Sequence, residues 1–182
     1  MSSNASKEAL GLLQLYIGNG KGKTTAAVGQ AVRAHGHGLR VLFVQFLKGR
    51  QSGESGALSL LGIEIRQVQD SEKFLFSMSE EEKEHQKQRT QHALETLAGE
   101  ISTGQYDLVV LDEILDACSL SLAGYETLYD LVARAKENHC ELIFTGRGVP
   151  MKLYELADYI SEILPIKHPY DKGITAREGI EY

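Results

Sequence analysis

Two short stretches carry residue types that could do phosphate chemistry. The first, Gly18-Asn19-Gly20-Lys21-Gly22-Lys23-Thr24-Thr25, alternates glycine with polar and basic residues just after an apolar run. Glycines let successive backbone N–H groups turn toward an anion, and a helix opening there adds the positive end of its dipole. Lys23 supplies a mobile full charge, and Thr24 supplies a hydroxyl suited to Mg²⁺. The spacing departs from the usual G-x-x-x-x-G-K-[ST], whose first glycine would fall at Ile17; Gly18 sits one residue too close. The second stretch, "LVVLDE", places Asp112 and Glu113 where an apolar strand runs out. A carboxylate in that position can hold Mg²⁺ directly or through water, although a strand-end acid also serves as a helix cap.

These residues need elements to position them. Short β-rich runs recur at 12–18, 41–47, 63–69, 107–113 and 141–146. Between the first two, Lys23 to His35 is alanine-rich and ends at the Gly36 and Gly38 turn, as a helix with a glycine stop should. Ser79 followed by Glu82 predicts a capping box that opens a long helix to about Ser102, its charge run forming a solvated face. A further strand and an irregular tail broken by Pro165 and Pro169 close the chain. The alternation predicts an α/β fold: one domain over 1–182 with a mostly parallel sheet and helices on both faces, P-loop NTPase-like (RecA-like). Right-handed crossovers should bring ligands to the carboxyl ends of the strands, where both motifs fall.

Composition limits the partners. A formal net charge of −6 argues against nucleic acid, whose backbone demands clustered lysine and arginine. No run approaches the roughly 18 apolar residues that cross a bilayer, and residues 1–10 read as a flexible tail or short helix rather than a secretory signal. A cytoplasmic protein without membrane contact is the expectation. Cys118 and Cys140 lie in apolar settings without metal spacing and read as buried reduced thiols. Among weaker candidates, Arg147 in "TGRG" ends the fifth strand, where it could reach a phosphate or form a surface ion pair. Lys48 and Gly49 occupy the matching end of the second strand, and His35 and His37 read as charges near a helix carboxyl terminus.

Taken together, "GNGKGKTTAA", "VQFLKG", "VVLDE", "TGRG" and the terminal "LPIKHPYDKGITAREGIEY" closely resemble the corrinoid adenosyltransferases, over nearly the whole chain from Gly11 to Tyr182. In that family Co(I) of a reduced corrinoid attacks the 5′ carbon of ATP and releases triphosphate. The resemblance implies that Gly18, Asn19, Gly20, Lys21, Gly22, Lys23, Thr24, Thr25 and Arg147 carry ATP. It further implies that Lys23 is catalytic and that Thr24 and Glu113 ligate Mg²⁺ with Asp112 in support.

Ordinary phosphate loops present the terminal phosphate, whereas this reaction must present C5′, and the family binds ATP in the reverse sense. Phe74 and Phe76 in "KFLFSM" fall on the connection before the long helix. Read from the residues alone, they tuck under the loop as a small satellite core. The resemblance instead sets aromatic residues at this point beneath the corrin ring. The family also implies a reductase or reduced flavodoxin or flavin as electron donor, and a homodimer. It often has a longer amino-terminal segment that helps cover the corrinoid; here Met1 to Leu10 precede the first strand. Two other readings fit the same loop and acid pair: a small P-loop kinase, which would need an acceptor-side base and an arginine-rich lid, and a nucleotide-dependent switch ATPase.

Overall fold

The computed structural model describes residues 9–181 apart from Gln51 and Phe74. Residues 1–8 of the tail expected at 1–10 therefore lie outside the described residues. Strands β1 (Leu13–Ile17), β2 (Val41–Gln45), β3 (Glu64–Gln67), β4 (Leu108–Asp112), β5 (Glu141–Thr145) and β6 (Tyr159–Glu162) form one sheet in the order β3-β2-β4-β5-β1-β6. Every pairing is parallel, so the sheet is wholly rather than mostly so. Helices α1 (Lys23–Gly36), α2 (Gly53–Leu60), α3 (Glu80–Ser102), α4 (Ile114–Ser119), α5 (Tyr125–Glu137) and α6 (Met151–Leu156) fill the connections, as a P-loop NTPase-like fold requires.

The strand sequences explain the layering. β2 and β4 are buried at every position because helices cover both faces, whereas edge strands β3 and β6 are largely open. Along β4 alternate residues go to opposite cores: Val109 and Leu111 join the larger one, Leu108 and Val110 the smaller. On the first face Leu94, Leu97 and Ile101 of α3 and Leu128 and Leu131 of α5 meet Leu42, Val44 and Phe144. Opposite them, α1 lays Ala27, Ala31 and Ala34 against Phe43 and Ile143, the small side chains of one helical stripe.

The capping box at the head of α3 forms as its sequence requires. Ser79 Oγ accepts from the Glu82 amide at 3.2 Å, and the Ser79 amide donates to Glu82 Oε2 at 2.7 Å. Register then assembles the carboxyl edge. Gln45 pairs with Asp112 across β2 and β4, and Tyr16 with Thr145 across β1 and β5. The ends of β1, β2, β4 and β5 thus converge where the loop after β1 turns into α1. Among the described residues no helix is long and apolar enough to cross a membrane.

Candidate active site at the carboxyl edge of the sheet

The glycine loop owes its shape to two backbone anchors. The Gly18 amide donates to the Arg147 carbonyl at 3.2 Å, and the Gly20 amide donates to the Ile163 carbonyl at 2.7 Å. A Cβ on Gly20 would stand 2.7 Å from that carbonyl oxygen, so the loop lies directly on the exit of β6. Gly18 and Gly22 adopt φ values of 104° and 125°, which admit glycine and strain other residues. The amides of Gly18 and Gly20 are thereby committed to protein carbonyls. The phosphate-facing donors are left to the later half of the loop, where the first amides of α1 have no partner within their helix. A cavity of about 450 Å³ agrees: it is lined by Gly20 to Thr25, and not by Gly18 or Asn19.

Asp112 lies at the floor of this region and is fully buried. Its Oδ1 accepts from the Thr24 hydroxyl at 2.9 Å and from the Thr145 hydroxyl at 2.8 Å. Its Oδ2 has no hydrogen-bond partner among the described residues and faces only the Lys48 ammonium, 3.4 Å away. A buried carboxylate oxygen left in that condition is costly unless a cation meets it. With its proton given to Asp112, the Thr24 oxygen keeps its lone pairs for a metal.

Hydroxyl, carboxylate and phosphate oxygens make up the donor set that Mg²⁺ takes, with water completing the shell. Among the described residues no cluster of three or more His, Cys, Asp or Glu could hold a metal by itself. The residues therefore fit Mg²⁺ held together with a nucleotide, and fit poorly a self-sufficient metal centre.

Glu113 follows at φ 63°, ψ 16°, a left-handed residue that breaks β4 from α4. The Thr145 hydroxyl, which donates to Asp112, accepts from the Glu113 amide at 2.8 Å. Burial, and after it the charge of Asp112, pushes the Glu113 carboxyl up to about 7 against the pull of Lys48. Lys23 donates to the Gly20 carbonyl at 3.0 Å. Partial burial lowers its ammonium below the usual lysine range, Asp116 opposing this and Arg147 reinforcing it.

A second, larger cavity of about 870 Å³ opens on the other side of Glu113, lined by Leu47, Leu75, Phe76, Leu120 and Arg147 among others. Its walls are mainly apolar. Phe76 is 86% exposed on a 3₁₀ turn at Leu75–Ser77, so it does not tuck into a core. Phe74 lies outside the described residues. Arg147 lines this cavity and not the one at the loop, while its amide donates to Asp116 Oδ1 at 3.1 Å. His35 and His37 end α1, away from both cavities, and Cys118 and Cys140 are free, buried thiols pushed up to about 12 by burial.

Sequence reasoning missed several contributors to the loop cavity, among them four that bear on its polar chemistry or its closure. Thr145 reaches it by strand register and Glu54 by the short helix α2. Gly179 and Glu181 arrive from a compact turn in which Glu181 accepts from the Arg177 amide at 2.8 Å. The sequence holds no local signal for the first two. The Gly-flanked acid of "REGIE" was the only trace of the last pair.

The family described as ATP:corrinoid adenosyltransferase BtuR/CobO/CobP matches residues 9–182. Corrinoid adenosyltransferase CobA of Salmonella typhimurium is 36% identical over 177 residues, 97% of this chain and 88% of its own. The corrinoid adenosyltransferase of Escherichia coli K12 is 36% identical across 94% of this chain and 86% of its own. That of Pseudomonas aeruginosa is 32% identical, with 97% and 86% covered. With a phosphate loop, its acid pair and an adjoining apolar cavity on one sheet edge, and with this match across the chain, the protein belongs to the ATP:corrinoid adenosyltransferase family.

Proposed function

We propose that this protein transfers the 5′-deoxyadenosyl group of ATP to the Co(I) centre of a reduced corrinoid and releases triphosphate. The observation that carries this reading is the sharing of Glu113 by the cavity at the phosphate loop and a larger, more apolar one. Triphosphate on the loop and a flat apolar macrocycle next door would bring C5′ and cobalt together at their common wall. Cobalt donates an electron pair to C5′, the C5′–O bond breaks, and its pair leaves on the triphosphate oxygen. No proton moves, so the lack of a general base in this arrangement is no obstacle.

Each residue has a part in that chemistry. The amides from Lys21 to Thr25 and the Lys23 ammonium receive the charge that grows on the leaving oxygen. Thr24, Asp112 and Glu113 would hold Mg²⁺, which when bound supplies charge neutralisation to the triphosphate. Asn19 and Gly18 shape the loop, and Arg147, on the wall of the larger cavity, binds ATP from that side. Phe76, together with Phe74, forms the apolar wedge beneath the corrin that excludes a lower ligand and water, easing reduction of Co(II). The same reading includes a reductase or reduced flavodoxin or flavin as electron source, a homodimer, and a cytoplasmic setting.

Incubation with MgATP and chemically reduced cobalamin tests the activity. A photolabile cobalt–carbon product and stoichiometric triphosphate are expected; ADP, with phosphate or a phosphorylated acceptor, would overturn the assignment. Lys23→Ala should lose about 10²-fold or more in kcat, as removal of one preorganised oxyanion donor does. An unchanged kcat with only a raised KM for ATP would refute that role.

Glu113→Gln should separate activity from stability. The unfolded chain ionises this carboxyl near 4.5, whereas the folded protein holds its proton to about 7. The parent therefore loses stability as pH rises between those values, and the full cost stands above pH 7. Without Mg²⁺ or nucleotide the glutamine variant should be the more stable by about 3 kcal/mol at pH 8, with no difference near pH 4. Its Mg²⁺-dependent turnover should fall sharply. Denaturant unfolding across pH checks the first part, and a variant less stable than the parent at pH 8 would refute it.

Phe76→Ala should slow turnover from Co(II) corrinoid far more than turnover from pre-reduced Co(I), with ATP affinity nearly unchanged. Electron paramagnetic resonance of bound Co(II)cobalamin with MgATP should show less four-coordinate species than in the parent. An equal signal would return Phe76 to a packing role.

A further inference from the structure

Lys48 is the cation nearest the orphaned oxygen of Asp112, and its placement is constrained from several sides. Its ammonium lies 2.7 Å from Glu54 Oε1 and 3.4 Å from Asp112 Oδ2. Glu54 is in turn touched by the buried Gln45 amide at 3.3 Å, and Gln45 accepts from the Ser55 hydroxyl at 3.2 Å. The backbone is fixed as well, since a Cβ on Gly49 would run into the Ser71 carbonyl, which Gln69 Nε2 also holds at 2.6 Å. Burial works to lower the Lys48 ammonium, but Asp112 and the hydrogen bond to Glu54 outweigh it and hold it above the usual lysine range. Glu113 also faces it electrostatically, and both Lys48 and Glu54 line the loop cavity.

A divalent cation at Asp112 would come within a few ångströms of this ammonium. Like charges so close in a partly buried setting repel strongly. A four-carbon stem allows the ammonium to withdraw, and Glu54 is positioned to keep it.

We infer that Lys48 is a positioning residue: it balances Asp112 when no divalent cation does, and Glu54, already 2.7 Å from its ammonium, retains it when one binds. The inference rests on the functional reading above. Lys48 thus holds the Asp112 carboxylate in place, and the Lys48–Glu54 pair sets how much nucleotide binding gains from Mg²⁺.

The test uses the full chain with Lys48→Met and Glu54→Gln. Thermal unfolding in the presence of inorganic triphosphate is compared in EDTA and in millimolar MgCl₂, with NaCl matching ionic strength. Lys48→Met should lie below the parent in Tm in EDTA, and MgCl₂ should close most of that gap. Calorimetric ATP titrations with and without Mg²⁺ give a second readout. The ratio of the two affinities should rise about tenfold in Lys48→Met, because a competing charge is gone, and should fall below the parent's in Glu54→Gln, because the released ammonium then competes harder.

An unchanged Tm in EDTA, a loss that MgCl₂ does not recover, or equal weakening of ATP binding with and without Mg²⁺ would each overturn the inference. Should Lys48→Met fail to fold, the Glu54→Gln ratio decides, and a value at or above the parent's overturns it. A parent that binds no MgATP would sink the functional reading, while the Tm comparison would still judge Lys48.

Discussion

A carboxylate buried at the end of a central strand is the constraint from which the site is built. Asp112 is fully buried, and every group around it answers a charge that water cannot reach. Thr24 brings the start of α1, Thr145 brings the end of β5, and Lys48 brings the exit of β2. Three separate connections are thereby tied to one atom pair. Remove the charge and the hydroxyls would keep weak partners, and the phosphate loop would lose its polar tie to β4. One oxygen still lacks a hydrogen bond, which is the feature a folding optimum would remove and a metal site would keep.

Glu113 extends the same tension. A non-glycine residue in the left-handed region carries strain, and its carboxyl is held against burial and a neighbouring negative charge. Both costs are incurred at the residue that lines both the loop cavity and the larger, more apolar one. A glycine would relieve the backbone and a glutamine the charge. That the chain carries neither relief argues that the carboxylate is wanted as a carboxylate, ready to ionise beside a cation.

Much of this was legible in the sequence because the informative residues are local. The glycine loop, the Ser79 capping box and the strand-end acids each declare themselves within eight residues, and alternating apolar runs located all six strands. What escaped depends on register and topology. Thr145 matters because β5 pairs beside β4, and the Lys48–Glu54 pair because α2 folds back over β2. The helix α2 was itself unreadable: "GESGALSL" has two glycines and weak propensity, and tertiary contact through Leu58 holds it. Phe76 turned on exposure, which no periodicity encodes.

The short loop has a physical consequence that the motif alone did not disclose. With Ile17 in the place of the first glycine, β1 stays a strand to that residue, and the turn begins at Gly18. Two early amides are then committed to the carbonyls of Arg147 and Ile163, so the anion nest is confined to Lys21 and beyond. A nest displaced toward the helix would hold phosphate by its later amides and by Lys23. The early loop becomes a rigid bracket between β1 and β6 in place of a wrap around the terminal phosphate. An enzyme that cuts at C5′ gains nothing by enclosing the terminal phosphate. It needs the whole triphosphate seated as one leaving group, with the opposite end of the nucleotide free to face the apolar cavity beyond Glu113.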